Sequence, residues 1–163
     1  AHAYIAAKAG KRVVVFEKSP AAMGASPRNF GLIWPIGQPP GEMHETAMRS
    51  RALWLEALEA AAIPYHLTGS IHAAHREDEA EVAREFAAIA PGAGYEWEWL
   101  SRDRALEVSR GVNPDGLLGA LWSPTELTVD PAEVIRRLPD FLRERHGVEF
   151  RFSTCVRGIE LPR

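Results

Sequence analysis

Arg12-Val13-Val14-Val15-Phe16-Glu17, preceded by Ala1-His2-Ala3-Tyr4-Ile5-Ala6-Ala7-Lys8-Ala9-Gly10, sets the fold class of this chain. Residues 2–9 are Ala-rich and free of breakers, which favours helix, and Gly10 suits the left-handed residue just past a helix end. Residues 12–17 are then a short β-branched apolar run closed by an acid. A continuous apolar run suits a parallel strand buried on both faces. Together the two segments read as the helix and second strand of a βαβ unit, so the fold expected is α/β.

Glu17 admits two readings. One is a surface carboxylate at a strand end. The other is the acid that ends the second strand of a dinucleotide fold and accepts hydrogen bonds from ribose hydroxyls, about 20 residues after a glycine fingerprint. Counting back from Glu17 puts those glycines at or before Ala1. The chain opens in helix with no N-cap ahead of it, and it stops at Ile159-Glu160-Leu161-Pro162-Arg163, just after an expected strand. Both ends are therefore expected to be cuts in a longer protein.

Residues 19–41 are rich in Gly, Pro, Ser and Asn and read mostly as loop. Small residues at 24–26 let main-chain N–H groups approach a phosphate, Ser26 can donate, and Arg28 can pair with an anionic oxygen. Gly31 lets the backbone approach a flat ring where a Cβ would collide. An ordinary turn-rich loop is the competing reading.

Beyond it, helical spacing of Met43, Ala47, Met48, Leu55, Leu58 and Ala62 predicts a helix over 42–62, ended by Pro64. Alternation predicts a strand from Tyr65 to Ala73, and a charged helix follows over about 77–90, stopped by Pro91-Gly92. Tyr95, Trp97 and Trp99 alternate with Glu96 and Glu98 as in a half-buried strand. Ser101 is placed to cap a short helix running to Ser109. Leu117–Trp122 and Leu127–Val129 read as strands. Asp130, Pro131 and Glu133 are an N-cap, an N1 proline and the N3 acid of a capping box for a helix that Gly147 closes and Pro139 should kink. Val148–Phe152 and Cys155–Leu161 read as strands.

Composition narrows the function classes. The 163 residues suffice for one domain or pieces of two. Nineteen basic against 22 acidic residues give a net charge of −3 without a basic block, which argues against a nucleic-acid partner. No apolar run approaches the roughly 20 residues of a membrane helix. The single cysteine, Cys155, excludes an internal disulfide framework and fits a reducing compartment, so a cytoplasmic protein is expected. On its strand it reads as a buried thiol. His72-Ala73-Ala74-His75 would ligate a metal only from one helical face, and the alternation there says strand, so no metal site is expected. Trp97, Trp99 and Trp122 read as structural rather than as an amine pocket. Trp34 and Gln38, following the loop, are the better substrate-pocket candidates.

The run from Ala1 to Gly41, with Val13-Val14-Val15-Phe16-Glu17-Lys18 and then Gly24-Ala25-Ser26-Pro27-Arg28-Asn29-Phe30-Gly31-Leu32-Ile33-Trp34-Pro35-Ile36-Gly37-Gln38-Pro39, resembles the D-amino-acid oxidase-like family of FAD-dependent oxidoreductases. It is most similar to the subgroup found beside phosphonate-catabolism genes. Gly69-Ser70-Ile71, Gly116–Leu121 and Thr128-Val129-Asp130-Pro131 fit as well, so the resemblance covers nearly the whole chain. It implies FAD as cofactor. Glu17 would bind the adenosine ribose with Lys18 beside it. Ala25, Ser26, Arg28 and Asn29 would contact pyrophosphate, ribityl chain or flavin. Gly31 and Leu32 would lie near the isoalloxazine, and Val156 would meet the adenine through its backbone. The glycine fingerprint and everything after Arg163 are missing, including further cofactor contacts and much of the family's substrate pocket, so this fragment alone is expected to bind FAD weakly or not at all.

The resemblance thus implies a Rossmann-like FAD-binding domain, incomplete, over 1–65 and 148–163, interrupted by an α+β substrate domain over 66–147. Its implied activity is oxidation of a primary or secondary amine, an amino acid or aminophosphonate-like molecule, to an imine that water hydrolyses. No catalytic acid or base is assigned. Two alternatives stand beside it. Glu17 also suits an NAD-dependent dehydrogenase, although the Gly-Ala-Ser-Pro-Arg-Asn loop argues against that, and a non-catalytic remnant or binding module would keep the fold without the cofactor.

Overall fold

The computed structural model describes residues 1–160, the side chain of Pro91 apart. In chain order they form α1 (His2–Lys8), β1 (Val14–Phe16), β2 (Leu32–Ile33), α2 (Glu42–Ala60), β3 (Tyr65–His66), β4 (Ser70–Ala74), α3 (Glu77–Ile89), β5 (Glu98–Ser101), α4 (Arg102–Val108), β6 (Gly119–Ser123), β7 (Leu127–Val129), α5 (Pro131–His146) and β8 (Glu149–Arg151). Short 3-10 turns lie at Ser26–Arg28, Pro35–Gly37 and Ala90–Ala93. Two compact units result. One takes Ala1–Gly31, Ala57–Pro64 and the chain from Val129 onward; the other takes Leu32–Glu56 and Tyr65–Thr128.

In the first unit β1 and β8 pair in parallel, Val14 opposite Glu149 and Val15 opposite Phe150. Val13 and Val15 pack into a core with Tyr4, Phe141, Leu142 and Val148. Val14 and Phe16 point the other way and are 37% and 45% exposed. The expected burial on both faces is therefore corrected to one face, because α1 and α5 cover only the side to which alternation sends residues 13 and 15. Tyr4 of α1 meets Phe141 and His146 of α5 at ring-centroid distances of 6.2 and 5.4 Å. These contacts place α5 in this unit and not, as the sequence boundaries at 65/66 and 147/148 had it, with the inserted part.

The ends of these helices follow their sequence punctuation. Gly10 takes a φ of +72° after α1, and Gly147 one of +64° after α5. Asp130 caps α5 by accepting the Ala132 N–H at 2.8 Å, with Pro131 at N1. Glu133 turns to the Arg136 guanidinium at 2.8 Å instead of completing a capping box. The helix continues through Pro139. Asp130→Ala is expected to cost about 1 kcal/mol, a fall of about 2–4 °C in the thermal midpoint for a chain of this size. Asp130→Asn, which keeps the acceptor, should retain most of it.

After β8 the chain departs from the expected second strand. Residues 155–160 form no strand, and Leu161 lies outside the described residues. Cys155 is exposed rather than buried, and among the described residues no strand pairs with this segment.

The second unit holds the antiparallel sheet β4-β6-β5 and the smaller β2-β7-β3. Ser70 faces Ser123 and Ala74 faces Gly119 across β4–β6, while Glu98 faces Trp122 and Ser101 faces Gly119 across β5–β6. The strand expected from Tyr65 to Ala73 is two strands in two sheets. It breaks at residues 67–69, where the Gly69 N–H bonds to the Glu126 carbonyl at 3.0 Å. The strand expected at Tyr95–Trp99 forms three residues later, because Tyr95 drops into a cluster with Ile36, Ala90 and Leu121. Its hydroxyl donates to the Gln38 carbonyl at 2.6 Å. Ser101 caps α4 as expected, accepting the Arg104 N–H at 3.4 Å. On α2, Met43 is 55% exposed and His44 only 5%. The expected apolar stripe holds at Ala47, Met48, Leu55 and Leu58, but at its start His44 takes the place of Met43, its ring against Tyr95 with centroids 3.9 Å apart.

Candidate cofactor and ligand sites

Glu17 sits where β1 ends. Its N–H bonds to the Arg151 carbonyl at 3.0 Å, and its own carbonyl accepts the Thr154 N–H at 2.9 Å. The carboxylate folds back so that Oε1 accepts the Ser19 N–H at 2.8 Å. That hydrogen bond, with help from the adjacent Lys18 charge, holds the Glu17 carboxyl below the usual carboxylate range. A firmly anionic acceptor thus stands at the carboxyl end of a parallel strand. Lys18 is exposed beside it, and Val156, also exposed, follows two residues after the Thr154 that bonds Glu17.

Ala25, Ser26, Arg28 and Asn29 come together in a single exposed turn. The Arg28 N–H bonds to the Ala25 carbonyl at 3.0 Å and the Asn29 N–H to the Ser26 carbonyl at 3.3 Å. Asn29 Oδ1 then accepts the Gly31 N–H at 2.7 Å. The turn runs beside α5. Gly31 has a φ of +75°, and a Cβ there would overlap the carbonyl oxygen of Val129, whose N–H bonds back to the Gly31 carbonyl at 2.8 Å. The close approach that glycine permits at this position is thus made by the protein's own backbone. Leu32 opens β2 opposite Thr128 and is half-buried.

A ribose diol calls for a carboxylate acceptor, and a pyrophosphate for hydroxyl, guanidinium and main-chain donors. Glu17 supplies the first and the Ser26–Arg28 turn the second. Nothing lies within 4 Å of where a Cβ would stand on Gly24, so the loop faces open space. These residues fit FAD.

The second unit contains a cleft of about 420 Å³, lined by Trp34, Ile36, His72, Val82, Phe86 and Leu121 among others. Trp34 thus lies in a cavity, as a pocket candidate should, whereas Gln38 does not line it and is tied through its carbonyl to Tyr95. The Trp34 ring stacks on His72 at 5.7 Å and 22°. A Cβ on Gly37 would overlap that indole, so glycine makes room for it. His72 Nε2 lies 3.0 Å from Ser70 Oγ, and Ser70 Oγ donates to Glu126 Oε2 at 3.1 Å. Glu126 is fully buried; its Oε1 accepts the Ile36 N–H at 3.1 Å and the Thr125 hydroxyl at 2.8 Å. Burial lowers the His72 pKa, against the opposing pull of Glu126. Neither Ser70 nor Glu126 is marked as a site residue by the sequence, where residues 123–126 are simply the link between two strands. The one available signal was a carboxylate between two buried apolar strands. Trp97, Trp99 and Trp122 pack against the two cores of this unit. Among the described residues no cluster of His, Cys, Asp or Glu is placed to hold a metal ion, and no helix is long and apolar enough to cross a membrane.

A family profile described as "FAD dependent oxidoreductase" (DAO) matches residues 1–163. Among solved structures, L-proline dehydrogenase from P. horikoshii matches 98% of this chain at 23% identity with a TM-score of 0.84, over 42% of its own length. Glycine oxidase from Bacillus cereus matches 98% at 23% identity and a TM-score of 0.82, over 44% of its length. L-Amino acid deaminase from Proteus myxofaciens, solved with anthranilate, matches 98% at 21% identity and a TM-score of 0.85, over 37% of its length. At these identities the likeness is one of fold, and the chain spans less than half of each structure. No curated protein matches.

Proposed function

This chain belongs to the FAD dependent oxidoreductase family, and on that premise we propose that the protein oxidises a primary or secondary amine to an imine, which water then hydrolyses. The observation that carries the reading is the anionic Glu17 carboxylate closing β1, in the same unit as the exposed Ala25–Asn29 turn. In this reading Glu17 binds the adenosine ribose, Lys18 stands beside it and Val156 offers its backbone to the adenine. Ala25, Ser26, Arg28 and Asn29 take the pyrophosphate and ribityl region. Gly31 and Leu32 carry the chain past the ring. When bound, FAD supplies the acceptor for a hydride equivalent from the C–H next to nitrogen. The choice of an amine draws on the names of the three solved structures, a proline dehydrogenase, a glycine oxidase and an amino acid deaminase. Aminophosphonates and their N-methyl derivatives are the substrates to screen first, on the resemblance of the loop sequence.

The test is whether the product of the complete gene purifies with, or takes up, FAD. Glu17→Gln keeps the acceptor for Ser19 while removing the charge, and is expected to weaken FAD binding about tenfold, the scale of a charge-assisted hydrogen bond. Unchanged affinity would remove Glu17 from the ribose site. A folded protein that takes up no FAD would sink the oxidoreductase reading and leave a binding module of the same fold.

A further inference from the structure

We propose that the cleft of the second unit binds a small apolar molecule carrying an N–H or O–H donor, with His72 Nδ1 as the acceptor and the rings of Trp34 and Phe86 as walls. The direction of each hydrogen bond fixes which ring nitrogen is left to accept. Glu126 accepts from Ile36, Thr125 and Ser70. The only proton of the Ser70 hydroxyl is therefore directed to Glu126, and Ser70 Oγ presents a lone pair to His72. For the 3.0 Å contact to be a hydrogen bond, Nε2 must carry the ring proton. Burial keeps His72 neutral near pH 7, so Nδ1 is left as an acceptor, and it has no hydrogen-bond partner among the described residues.

The cleft is lined by one other titratable side chain, Glu79, which is held by its own helix start. Glu79 Oε2 accepts the His75 and Arg76 N–H groups at 2.8 and 3.2 Å, closing the start of its own helix. The remaining lining is apolar. A space of about 420 Å³, in the size range of small-molecule pockets, thus offers aromatic and aliphatic walls with one neutral, oriented acceptor on His72, apart from the Glu79 carboxylate that Arg76 faces. Such a site selects one hydrogen-bond donor on an otherwise apolar body, because an acceptor buried by a ligand without a donor is left unsatisfied.

Indole and 1-methylindole are the probes, since they share an apolar body and differ in the donor. Each is titrated into the flavin-free protein while the ring nitrogens of His72 are followed by NMR. The expected result is that indole binds at least about tenfold more tightly and moves the His72 Nδ1 resonance. His72→Phe, which keeps a ring against Trp34, should bind both alike. Equal binding of the two probes by the unmodified protein, binding without movement of the His72 ring, or no binding at millimolar concentration overturns the proposal. The comparison on the unmodified protein decides the matter even if the variant does not fold. Flavin enters neither the argument nor the readout, so the outcome is separate from that of the oxidoreductase reading.

Discussion

Glu126→Ala is expected to destabilise the second unit by about 3 kcal/mol or more. The carboxylate is fully buried and satisfies three donors from separate places in the chain: the Ile36 N–H, the Thr125 hydroxyl and the Ser70 hydroxyl. Each donor left without a partner in the interior costs about 1–3 kcal/mol. Ser70 can turn toward His72, so the full sum is not reached. The measurement is urea unfolding followed by tryptophan fluorescence, for which Trp34, Trp97, Trp99 and Trp122 are internal reporters. Glu126→Gln retains acceptor oxygen on one side only and should fall between the two. A loss under about 0.5 kcal/mol for alanine, the scale of an ordinary surface substitution, would show that the network contributes little.

The second large effect is expected from Gly31→Ala. A φ of +75° costs an L-residue about 1–2 kcal/mol. The added Cβ would also overlap the Val129 carbonyl oxygen, and relieving such overpacking typically costs about 1–3 kcal/mol more. The relief must come by separating Gly31 from Val129, which breaks the 2.8 Å bond between the Val129 N–H and the Gly31 carbonyl. A total of about 2–5 kcal/mol is expected in thermal or urea unfolding. The Ala25–Asn29 turn hangs from the same glycine through Asn29 Oδ1, so under the proposed function FAD retention should fall in this variant as well. A variant as stable as the parent would mean that the strand shifts freely at this point.

Where local chemistry decides a helix end, the sequence was enough. The Asp130 cap, the prolines and glycines around α5, the Ser101 cap and Gly10 all act within a turn of the residues that announce them. The parallel character of β1 was legible from its β-branched run, yet its one-sided burial was not. Which face is covered depends on α5, which lies nearly a chain length away. The same reason hid the break between β3 and β4, which is enforced from Glu126, and the shift of β5, which follows from where Tyr95 is buried. Of the candidate site, Glu17 and the small-residue turn could be named because their chemistry is contiguous in sequence. The partnership of Ser70 and His72 with Glu126 could not, since Glu126 comes from 56 residues beyond Ser70 and reaches it only once β4 and β6 have paired.

The pairing of β1 with β8 imposes an order of events on a nascent chain. The first unit cannot close its two-stranded ladder until nearly the last of these residues has left the ribosome, because Val14 waits for Glu149. The second unit is complete by Thr128, and its sheet joins strands that emerge sooner. Synthesis thus delivers the aromatic cleft early and the carboxylate-bearing strand end late. Until then Val13 and Val15 lack the contacts that Phe141, Leu142 and Val148 will supply, and incompletely packed apolar surface of this kind invites non-native association.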